Sequence, residues 1–382
     1  MFNRVRIKNL LRVDEADLEL GDLTLLYGPN SGGKSSIMRG IELLIRSIFG
    51  PREEVNIGKF ARKIPGDSVY MEVEGSSELF GEIALRSNIA FGWGKTPNPK
   101  SHIFEINDLK HGWDEKKGVF LESRERRDYR VVREKPPLLL GSDLYLLNDR
   151  YYYDLYSEYI PHENKKAVNK LVEIWRIESE KETAEFFPYI FFRRMSLGDI
   201  VESLNKRIRY LYSLGRGKIG DLVGDLNYVI SDSFEVKDIL PKIEDIYIKT
   251  DQDDLTFSLW TMSDGFLQTL NIISAIHQID HLAKDVSKEI GSEFKGMLLV
   301  EVFDAGVHID WLLYLLESIL RNKPNVKIVA EVHTGLLLSY SVSRGYPAYY
   351  VKDGKTIRIT KENLYNLDLL EREVDAYRKV FS

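Results

Sequence analysis

A glycine-rich segment at residues 28–35, with the sequence GPNSGGKS, constrains the fold of this chain more than any other feature. It fits the pattern G-x-x-x-x-G-K-[ST] and follows an apolar run at residues 23–27 that has the length of a buried strand. Apolar side chains then recur at helical spacing as far as Gly50. Further strands are predicted upstream at residues 2–9 and 16–20. This order predicts an α/β fold with a phosphate-binding loop, because backbone N–H groups and a helix N-terminus bind anions.

The loop residues have separate expected roles. Lys34 is expected to reach the β- and γ-phosphates of a nucleotide, and the Ser35 hydroxyl is expected to bind Mg²⁺. The loop therefore predicts ATP and Mg²⁺ as cofactors. The residues expected to line the phosphates are Asn30, Ser31, Gly32, Gly33, Lys34, Ser35 and Ser36.

The periodicity along the chain suggests three segments. Residues 1–139 contain the loop, its helix and a series of short alternating runs that predict an antiparallel β meander. Residues 140–232 have longer helical stretches and are predicted to form a helical insertion, such as a lid or arm. Residues 233–382 return to strands and helices and include a predicted β-hairpin at Asp353 and Gly354.

The opening residues resemble a known group of ATPases. The stretch RIKNLLRVDEADLELGDLTLLYGPNSGGKSSIMRGIELL is similar to the start of RecF, SMC and related ABC-type head ATPases, including the OLD-like group. The resemblance covers roughly residues 1–50 and 255–345, and it implies an ABC-type P-loop NTPase head. The antiparallel β subdomain and the helical insertion of the predicted fold come from the residue pattern of the middle segments. The middle of the chain lacks heptad repeats and an acidic cluster, so neither a coiled-coil arm nor a nuclease domain is expected.

A second motif lies far along the chain, at residues 262–268. Its sequence, MSDGFLQ, is similar to the family signature written LSDGxxR or LSGGxxQ. The resemblance implies that Ser263 and Gly265 contact the γ-phosphate held by another subunit. Read without the phosphate loop, a Ser-Asp-Gly sequence before an apolar helix is an ordinary helix N-cap.

The segment MLLVEVFDAGVH, at residues 297–308, resembles the apolar strand and D-E-P-E-x-G-L-H motif of RecF-like ATPases. The resemblance places Glu301 at the acidic residue that organises Mg²⁺. Val302 stands where the family has a catalytic glutamate that orients the attacking water. Asp304 is a candidate replacement for this base, and slow or absent hydrolysis is the alternative.

Two other residues have roles implied by the resemblance. The segment at residues 325–334, NVKIVAEVHT, is similar to a family segment whose histidine contacts the γ-phosphate, which implies a switch role for His333. Arg12 matches a basic residue near the phosphates. Other candidates for that position are Arg4, Arg6 and Lys8. Because no glutamine occurs between Lys34 and Gln252, the family glutamine that links the helical lobe to Mg²⁺ has no counterpart.

Basic residues are interspersed with acidic ones, with 53 Lys and Arg against 59 Asp and Glu, so any nucleic-acid surface must be a local patch. The preferred candidate for DNA contact is the cluster of Lys206, Arg207, Arg209, Arg216 and Lys218. A second basic stretch consists of Arg124, Arg126, Arg127, Arg130 and Arg133. Acidic residues interrupt that stretch, which favours a salt-bridged hairpin.

Composition adds three expectations. The absence of cysteine excludes disulfides, thiolate metal sites and cysteine nucleophiles. Scarce glutamine together with abundant Lys and Glu is typical of thermophilic proteins. The first twenty residues carry charges where a signal peptide requires an apolar run, and no apolar stretch reaches membrane-spanning length, so a cytoplasmic location is expected.

These observations lead to two functional hypotheses. The first is an ATPase that dimerises head to tail around ATP and acts in DNA repair, maintenance or defence, with a separate effector protein as a further partner. The second is an ATP-gated dimerisation switch that hydrolyses little ATP, which Val302 favours. A small-molecule kinase is disfavoured because it has no need of a signature serine.

Overall fold

The computed structural model describes residues 1–49, 55–56, 60–62, 68–91, 97–107, 109–114, 118–123, 139–140, 143–146, 188–231, 233–243, 245–251, 255–304 and 306–364. The basic stretch at residues 124–133 lies outside this set. So does the segment at residues 147–187, which includes much of the predicted helical insertion.

The described strands, in chain order, are β1 (Arg4–Leu10), β2 (Val13–Glu19), β3 (Leu23–Tyr27), β4 (Val55–Asn56), β5 (Ser68–Ser77), β6 (Gly81–Phe91), β7 (Pro97–Ile106), β8 (Leu109–Asp114), β9 (Gly118–Ser123), β10 (Leu139–Leu140), β11 (Asp143–Leu146), β12 (Tyr189–Phe192), β13 (Val236–Pro241), β14 (Ile246–Thr250), β15 (Thr256–Ser258), β16 (Gly296–Val300), β17 (Val326–Val332), β18 (Ala348–Lys352) and β19 (Lys355–Arg358). The described helices are α1 (Lys34–Phe49), α2 (Leu197–Ser213), α3 (Arg216–Val229), α4 (Asp264–Ile290), α5 (Ile309–Asn322) and α6 (Gly335–Ser343), and a 3₁₀ helix spans Leu259–Thr261.

The chain divides into two units by its internal contacts. Unit 1 consists of Met1–Gly21, Leu26–Ser179 and Pro347–Asn363, and unit 2 consists of Asp22–Leu25, Glu180–Tyr346 and Leu364–Ser382. The three-segment division of the sequence remains a prediction. The two units differ from it because residues far apart in sequence pair as neighbouring strands.

Unit 1 is built on an antiparallel sheet with strand order β18-β19-β2-β1-β5-β6-β7-β8-β9, in which only the β19–β2 pair is parallel. In β1, Val5 and Ile7 are buried, whereas Arg4, Arg6 and Lys8 are exposed, as a half-buried strand requires. The predicted meander is confirmed by β5 to β9. The predicted upstream strands are also present, with ends shifted by one to three residues.

Helix α1 packs its apolar side into unit 1. Its buried residues follow helical spacing and include Ile37, Ile41, Leu44 and Ile45, each with no exposed surface. A Cβ atom at Gly40 would lie 2.6 Å from Ile7 Cδ1, so glycine lets the helix approach β1 closely. This contact fixes the helix that follows the phosphate loop.

Unit 2 contains the parallel strands β12, β16 and β17, and the first residues of β3 lie beside β17 through a 2.8 Å bond from Ile328 N to Asp22 O. Every residue of β16 and β17 is buried, as expected for apolar strands covered on both faces. Strand β12 corrects the sequence prediction, which assigned its residues to a helical insertion. The short aromatic run YIFF pairs with β16 instead, because its pairing completes the buried sheet.

Helix α4 is the longest described helix, with 27 residues. It begins after Ser263, whose side chain accepts a hydrogen bond from Phe266 N, and ends at Gly291, which has a left-handed φ of 69°. Residues 270–280 of this helix are buried throughout. The long buried helix therefore holds the predicted signature residues at its exposed N-terminus.

Candidate nucleotide-binding site

The phosphate loop joins β3 to α1 in unit 1. Gly28 and Gly33 have φ values of 144° and 120°, which residues with a Cβ atom rarely adopt. Ser31 has a left-handed φ of 67°, and Asn30 and Ser31 are exposed at the top of the loop. The loop thus has the backbone turns that direct N–H groups inward at the start of a 16-residue helix.

Lys34 is buried, with 3% of its surface exposed. Its Nζ donates hydrogen bonds of 2.7 Å to Gly28 O and 3.0 Å to Pro29 O. A buried ammonium held by carbonyl oxygens lies inside the loop, at the position from which it can reach a phosphate. Ser35 follows in the first turn of α1, and Ser36 is buried behind it.

Arg12 lies beside the loop. It occupies the turn between β1 and β2, its NH1 donates to Ser31 O at 3.3 Å, and its backbone N donates to Ser36 Oγ at 3.5 Å. The other basic candidates have partners on the sheet. Arg4 and Arg6 pair with Asp17, and Lys8 lies 3.9 Å from Glu72. The described contacts therefore favour Arg12 among the four basic residues, while its role toward a phosphate remains a prediction.

Glu301 begins the turn that follows β16 in unit 2. Its backbone N donates to Phe192 O at 2.8 Å, and its Oε2 accepts from Arg194 N at 3.1 Å. The other carboxylate oxygen, Oε1, is buried and has no hydrogen-bond partner among the described residues. Glu301 lines a cavity of about 300 Å³ together with Gln268 and Asn271 of α4.

The residues present fit a hydrated Mg²⁺ ion. A buried carboxylate oxygen without a partner is costly unless a cation or a water molecule satisfies it. Mg²⁺ usually keeps several waters and takes one or two protein oxygens together with phosphates. Glu301 would supply one such oxygen in unit 2, and the Ser35 hydroxyl of the phosphate loop in unit 1 is a predicted ligand of the same chemical type. Within the described ranges, no group of three or more His, Asp or Glu residues could hold a metal by itself.

Val302 has an unusual backbone conformation. Its φ is 56°, in the left-handed region, which is an outlier for a β-branched side chain. Such a conformation costs on the order of 1–3 kcal/mol and persists only where the surroundings impose it. Here the next residue, Phe303, is buried and its N donates to Glu331 O at 2.8 Å. The chain therefore turns sharply at the position where the related ATPases carry a catalytic glutamate.

Asp304 connects this turn to the end of β17. Its Oδ2 accepts hydrogen bonds from His333 N at 2.7 Å and from Thr334 N at 2.8 Å. Thr334 is in turn the N-cap of α6, with its side chain accepting from Leu337 N. The Asp304 carboxylate therefore fixes the backbone that carries His333.

His333 is exposed, and its side chain extends from the end of β17. Its Nε2 lies 3.5 Å from the Glu331 carboxylate. An exposed imidazole at the end of a buried strand can reach a ligand, and the turn containing Glu301 and Asp304 lies beside it. The structure thus brings together three of the predicted residues, Glu301, Asp304 and His333, within unit 2.

Ser263 is exposed and caps α4, so its N-cap interpretation is confirmed. A Cβ atom at Gly265 would lie 2.5 Å from Gly306 O, so the start of the helix touches the segment that follows Asp304. Glycine is required at position 265 by this close approach. The predicted contact of Ser263 and Gly265 with a second subunit's nucleotide remains a prediction.

A family model described as "AAA domain, putative AbiEii toxin, Type IV TA system" matches residues 23–339. The match spans most of the chain and includes the phosphate loop, the signature segment and the turn after β16. The chain belongs to this family. Membership confirms the predicted P-loop ATPase group and the α/β fold, to which the parallel strands of unit 2 and the antiparallel sheet of unit 1 contribute.

More distant similarities are limited. The OLD nuclease of Thermus scotoductus is 39% identical over 49 residues, which is 13% of this chain and 9% of that protein. The SMC head domain from Thermotoga maritima has a TM-score of 0.43 and 10% identity, over 94% of this chain and 98% of that chain. The RecF–ATP structure has a TM-score of 0.37 and 12% identity, over 94% and 99%.

The structure corrects one residue of the predicted DNA surface. Arg207 is only 2% exposed, and its guanidinium donates to Ser203 of its own helix and to Ser274 and Asn271 of α4. It also lies over the Phe192 ring, 4.9 Å from the centroid. Arg207 therefore links α2, α4 and β12 inside unit 2. The sequence cluster does not reveal the burial of Arg207, because one face of α2 is exposed and the other is buried.

Arg209 is also engaged by the fold, since it donates to Asn205 Oδ1 and to the carbonyl oxygens of Lys242 and Ile243. Lys206 and Arg216 are exposed, and Lys218 is partly exposed. Among the described residues, these three side chains are the exposed or partly exposed part of the predicted patch, and Lys206 forms an ion pair of 3.0 Å with Glu202. Among the residues that the structure describes, no helix is long and apolar enough to cross a membrane.

Sequence reasoning missed the cavity beside Glu301. It lies between the end of β12, the start of α2 and one side of α4, and it includes Arg194, Gln268 and Asn271. A capping box at Ser196 and Asp199 starts α2 and was visible in the sequence as S-x-x-D. That signal locates the helix start but not the strand before it, whose partner is more than 100 residues away.

Proposed function

We propose that this chain is a Mg²⁺-dependent ATP-binding head that closes head to tail on a second copy and hydrolyses ATP slowly. One observation carries this proposal. The phosphate loop has every residue that its chemistry requires, whereas Val302 occupies the catalytic-glutamate position in a left-handed conformation. Nucleotide binding and nucleotide turnover are thus separable in this chain.

Binding rests on the phosphate loop. Lys34 is buried among loop carbonyls, and Arg12 lies beside Ser31. A triphosphate in the loop would accept hydrogen bonds from the Lys34 ammonium, the N-terminal N–H groups of α1 and the Arg12 guanidinium. The Ser35 hydroxyl in the first turn of α1 would contact Mg²⁺ or one of its waters, and Glu301 is proposed separately as the acidic Mg²⁺ ligand of unit 2.

Dimerisation rests on the N-terminus of α4. The Ser263 hydroxyl oxygen accepts from Phe266 N, which leaves its hydrogen available to donate to a γ-phosphate. Ser263 and Asp264 are exposed, and Trp260 on the preceding 3₁₀ helix is 57% exposed. This arrangement suits a surface completed by a second copy that carries ATP, because a helix N-terminus is a favourable phosphate ligand.

Slow hydrolysis follows from the turn after β16. A catalytic base must orient water, but Val302 has no polar side-chain atom. Apart from Glu301, Asp304 is the nearest carboxylate along the chain, and its Oδ2 accepts hydrogen bonds from the N–H groups of His333 and Thr334. ATP would then act as the ligand that closes the dimer, and its slow loss would reopen it.

A faster ATPase is the second candidate function, and one observation favours it. The Asp304 carboxylate accepts a hydrogen bond from the backbone N of His333, the predicted switch histidine. The turn therefore retains an ordered acidic group next to His333. In this candidate, Asp304 supplies the displaced base. Both candidates share the ATP-dependent dimer.

A role in DNA repair, maintenance or defence is the broader proposal. The family description names a toxin–antitoxin system, and the short curated match is to a nuclease, which supports defence most directly. Lys206, Arg216 and Lys218 supply a basic surface for DNA. A separate effector protein remains the second predicted partner.

Sedimentation velocity tests the dimer. We expect a monomer without nucleotide and a dimer with ATP and Mg²⁺, and we expect Ser263→Arg to prevent dimer formation while leaving ATP affinity unchanged. Ser343→Arg is the matched control, because Ser343 is the exposed last residue of α6, and this variant should dimerise normally. A monomer under all conditions, in a protein that binds ATP, would contradict the head-to-tail proposal.

A further inference from the structure

The hairpin formed by β18 and β19 lies directly against the phosphate loop, although more than 300 residues separate them. Ideal Cβ atoms at Gly28 and Gly32 would lie 2.2 Å and 2.4 Å from Val351 O. Gly33 is also in contact, with Val351 Cγ1 3.5 Å from its Cβ position. The hairpin backbone therefore forms one wall of the loop.

Gly32 shows that this wall has a specific requirement. It stands at an unrestricted position of the G-x-x-x-x-G-K-[ST] pattern, and it is not among the residues with a left-handed φ. Its backbone conformation therefore does not demand glycine. The carbonyls of Val351 and Pro29 do, because both would lie within 3.1 Å of an added Cβ atom.

Gly354 joins the hairpin turn to two parts of the site. Its N donates to Gly32 O at 3.1 Å, and its O accepts from Asp14 N at 2.8 Å. An added Cβ atom would lie 2.4 Å from Arg12 O. Its φ of 79° and the φ of 51° at Asp353 are those of a tight hairpin turn, in which both central residues are left-handed.

These contacts close a ring. The hairpin holds the phosphate loop through Gly32 and holds the Arg12 turn through Asp14, while Arg12 itself contacts the loop at Ser31 O. All of these residues belong to unit 1. Displacement of the hairpin would therefore change the loop and the arginine together.

We propose that the β18–β19 hairpin positions the phosphate-binding loop, and that Gly354 is the positioning residue that sets the loop and Arg12 relative to each other. This inference rests on the proposed ATP-binding function and deepens it. The ligand chemistry is the triphosphate group, because the hairpin contacts the part of the site that binds phosphates. Small displacements of positioning groups weaken ligand contacts strongly.

The test compares Gly354→Ala with Gly345→Ala by titration calorimetry. Both glycines have a left-handed φ, at 79° and 82°, but only Gly354 has atoms within 4 Å of the added Cβ. We expect Gly354→Ala to raise the Kd for Mg²⁺-ATP about 10- to 100-fold. Inorganic tripolyphosphate should lose affinity by a similar factor. Gly345→Ala should bind both ligands within about twofold of the wild type, at the level of a surface substitution.

Calorimetry also separates positioning from folding, because partial unfolding lowers the fraction of binding sites rather than the affinity of the folded ones. A second variant, Gly32→Ala, covers the case in which Gly354→Ala does not fold. Its backbone angle permits alanine, so its affinity should fall only because Val351 O and Pro29 O block the Cβ atom. Where both variants fold, the double variant should lose less affinity than the sum of the two losses, since both act through one contact.

The outcomes are distinct. If the wild type binds neither ATP nor tripolyphosphate, the proposed function fails. If the wild type binds ATP but Gly354→Ala binds it as tightly as Gly345→Ala does, the positioning role is overturned. Normal affinity in Gly32→Ala would also overturn it, and so would strictly additive losses in the double variant.

Discussion

The phosphate loop of unit 1 and the turn after β16 in unit 2 differ in how closely each follows its motif. The loop has the expected glycines, lysine and serine, with left-handed φ values at Gly28 and Gly33 where the motif needs them. The turn has a glutamate at position 301, but the next residue is a valine with a φ of 56°. One region follows its motif, and the other combines a departure in sequence with strain in the backbone.

The difference indicates where this chain has retained chemistry and where it has changed. A phosphate loop needs N–H groups, a cation and a hydroxyl, and these are all present. Water activation needs a correctly placed base, and position 302 supplies none. Because the φ of Val302 is left-handed, the side chain of a glutamate at this position would leave the backbone in a different direction than from an extended strand. The two regions therefore make separate predictions.

The largest expected effect concerns the phosphate loop. Lys34→Ala removes a buried ammonium, and we expect ATP affinity to fall about 100-fold, the scale of charge-assisted hydrogen bonds worth about 1.5–3 kcal/mol each. Fluorescence titration with a labelled ATP analogue measures the change. Lys361→Ala, at an exposed position, is the control and should bind normally. Unchanged affinity in Lys34→Ala would mean that the loop does not hold the phosphates.

The second effect concerns the turn. Val302→Glu supplies the missing carboxylate, and we expect ATP turnover to rise about 10- to 100-fold, at the lower end of general-base contributions. Val302→Gln is the matched control, because glutamine has nearly the same shape as glutamate without the charge. We expect this variant to turn over ATP at the wild-type rate. Phosphate release measures both. Fast turnover by the wild type, with no gain in either variant, would end the proposal of slow hydrolysis and support the displaced base.

The smallest effect separates the two possible roles of Asp304. If its carboxylate positions the His333 backbone, Asp304→Asn should retain most of the wild-type turnover, because the amide keeps one oxygen that can accept from the N–H groups. Asp304→Ala should lose turnover about tenfold and unfold at a lower temperature, since two hydrogen bonds from backbone N–H groups to the carboxylate are lost, at about 1–3 kcal/mol in total. Thermal unfolding and phosphate release are measured together. Equal, complete loss of turnover in both variants would identify Asp304 as the base instead.

Much of the fold was predictable because local patterns specify it. The exposed and buried alternation of β1, the helical spacing of Ile37 and Ile41 and the apolar run of β16 all gave the correct element type. β12 was missed because four residues of an aromatic run carry no period that distinguishes strand from helix. Its assignment depends on pairing with Met297–Val300, which no local pattern records.

The candidate site shows the same division. Motifs identified Lys34, Ser35 and Ser263 as candidates, because the residues of each motif lie close together in the sequence. The burial of Arg207 could not be predicted, because a basic residue on a helix is exposed or buried according to which face meets its neighbours. The Asp304 bonds to His333 and Thr334 likewise join residues about 30 positions apart.

The sequence by itself determined the phosphate loop, the strand and helix around it, and the turn at Asp353 and Gly354, because each depends on residues that are near neighbours in the chain. Only the tertiary structure decided that this turn touches Gly32 and the Arg12 turn, and that Glu301 lines a cavity beside α4. Local conformation follows from the steric limits of each residue and its neighbours. Contacts between distant segments follow from how sheets and helices bury their apolar faces, which fixes positions that no short pattern encodes.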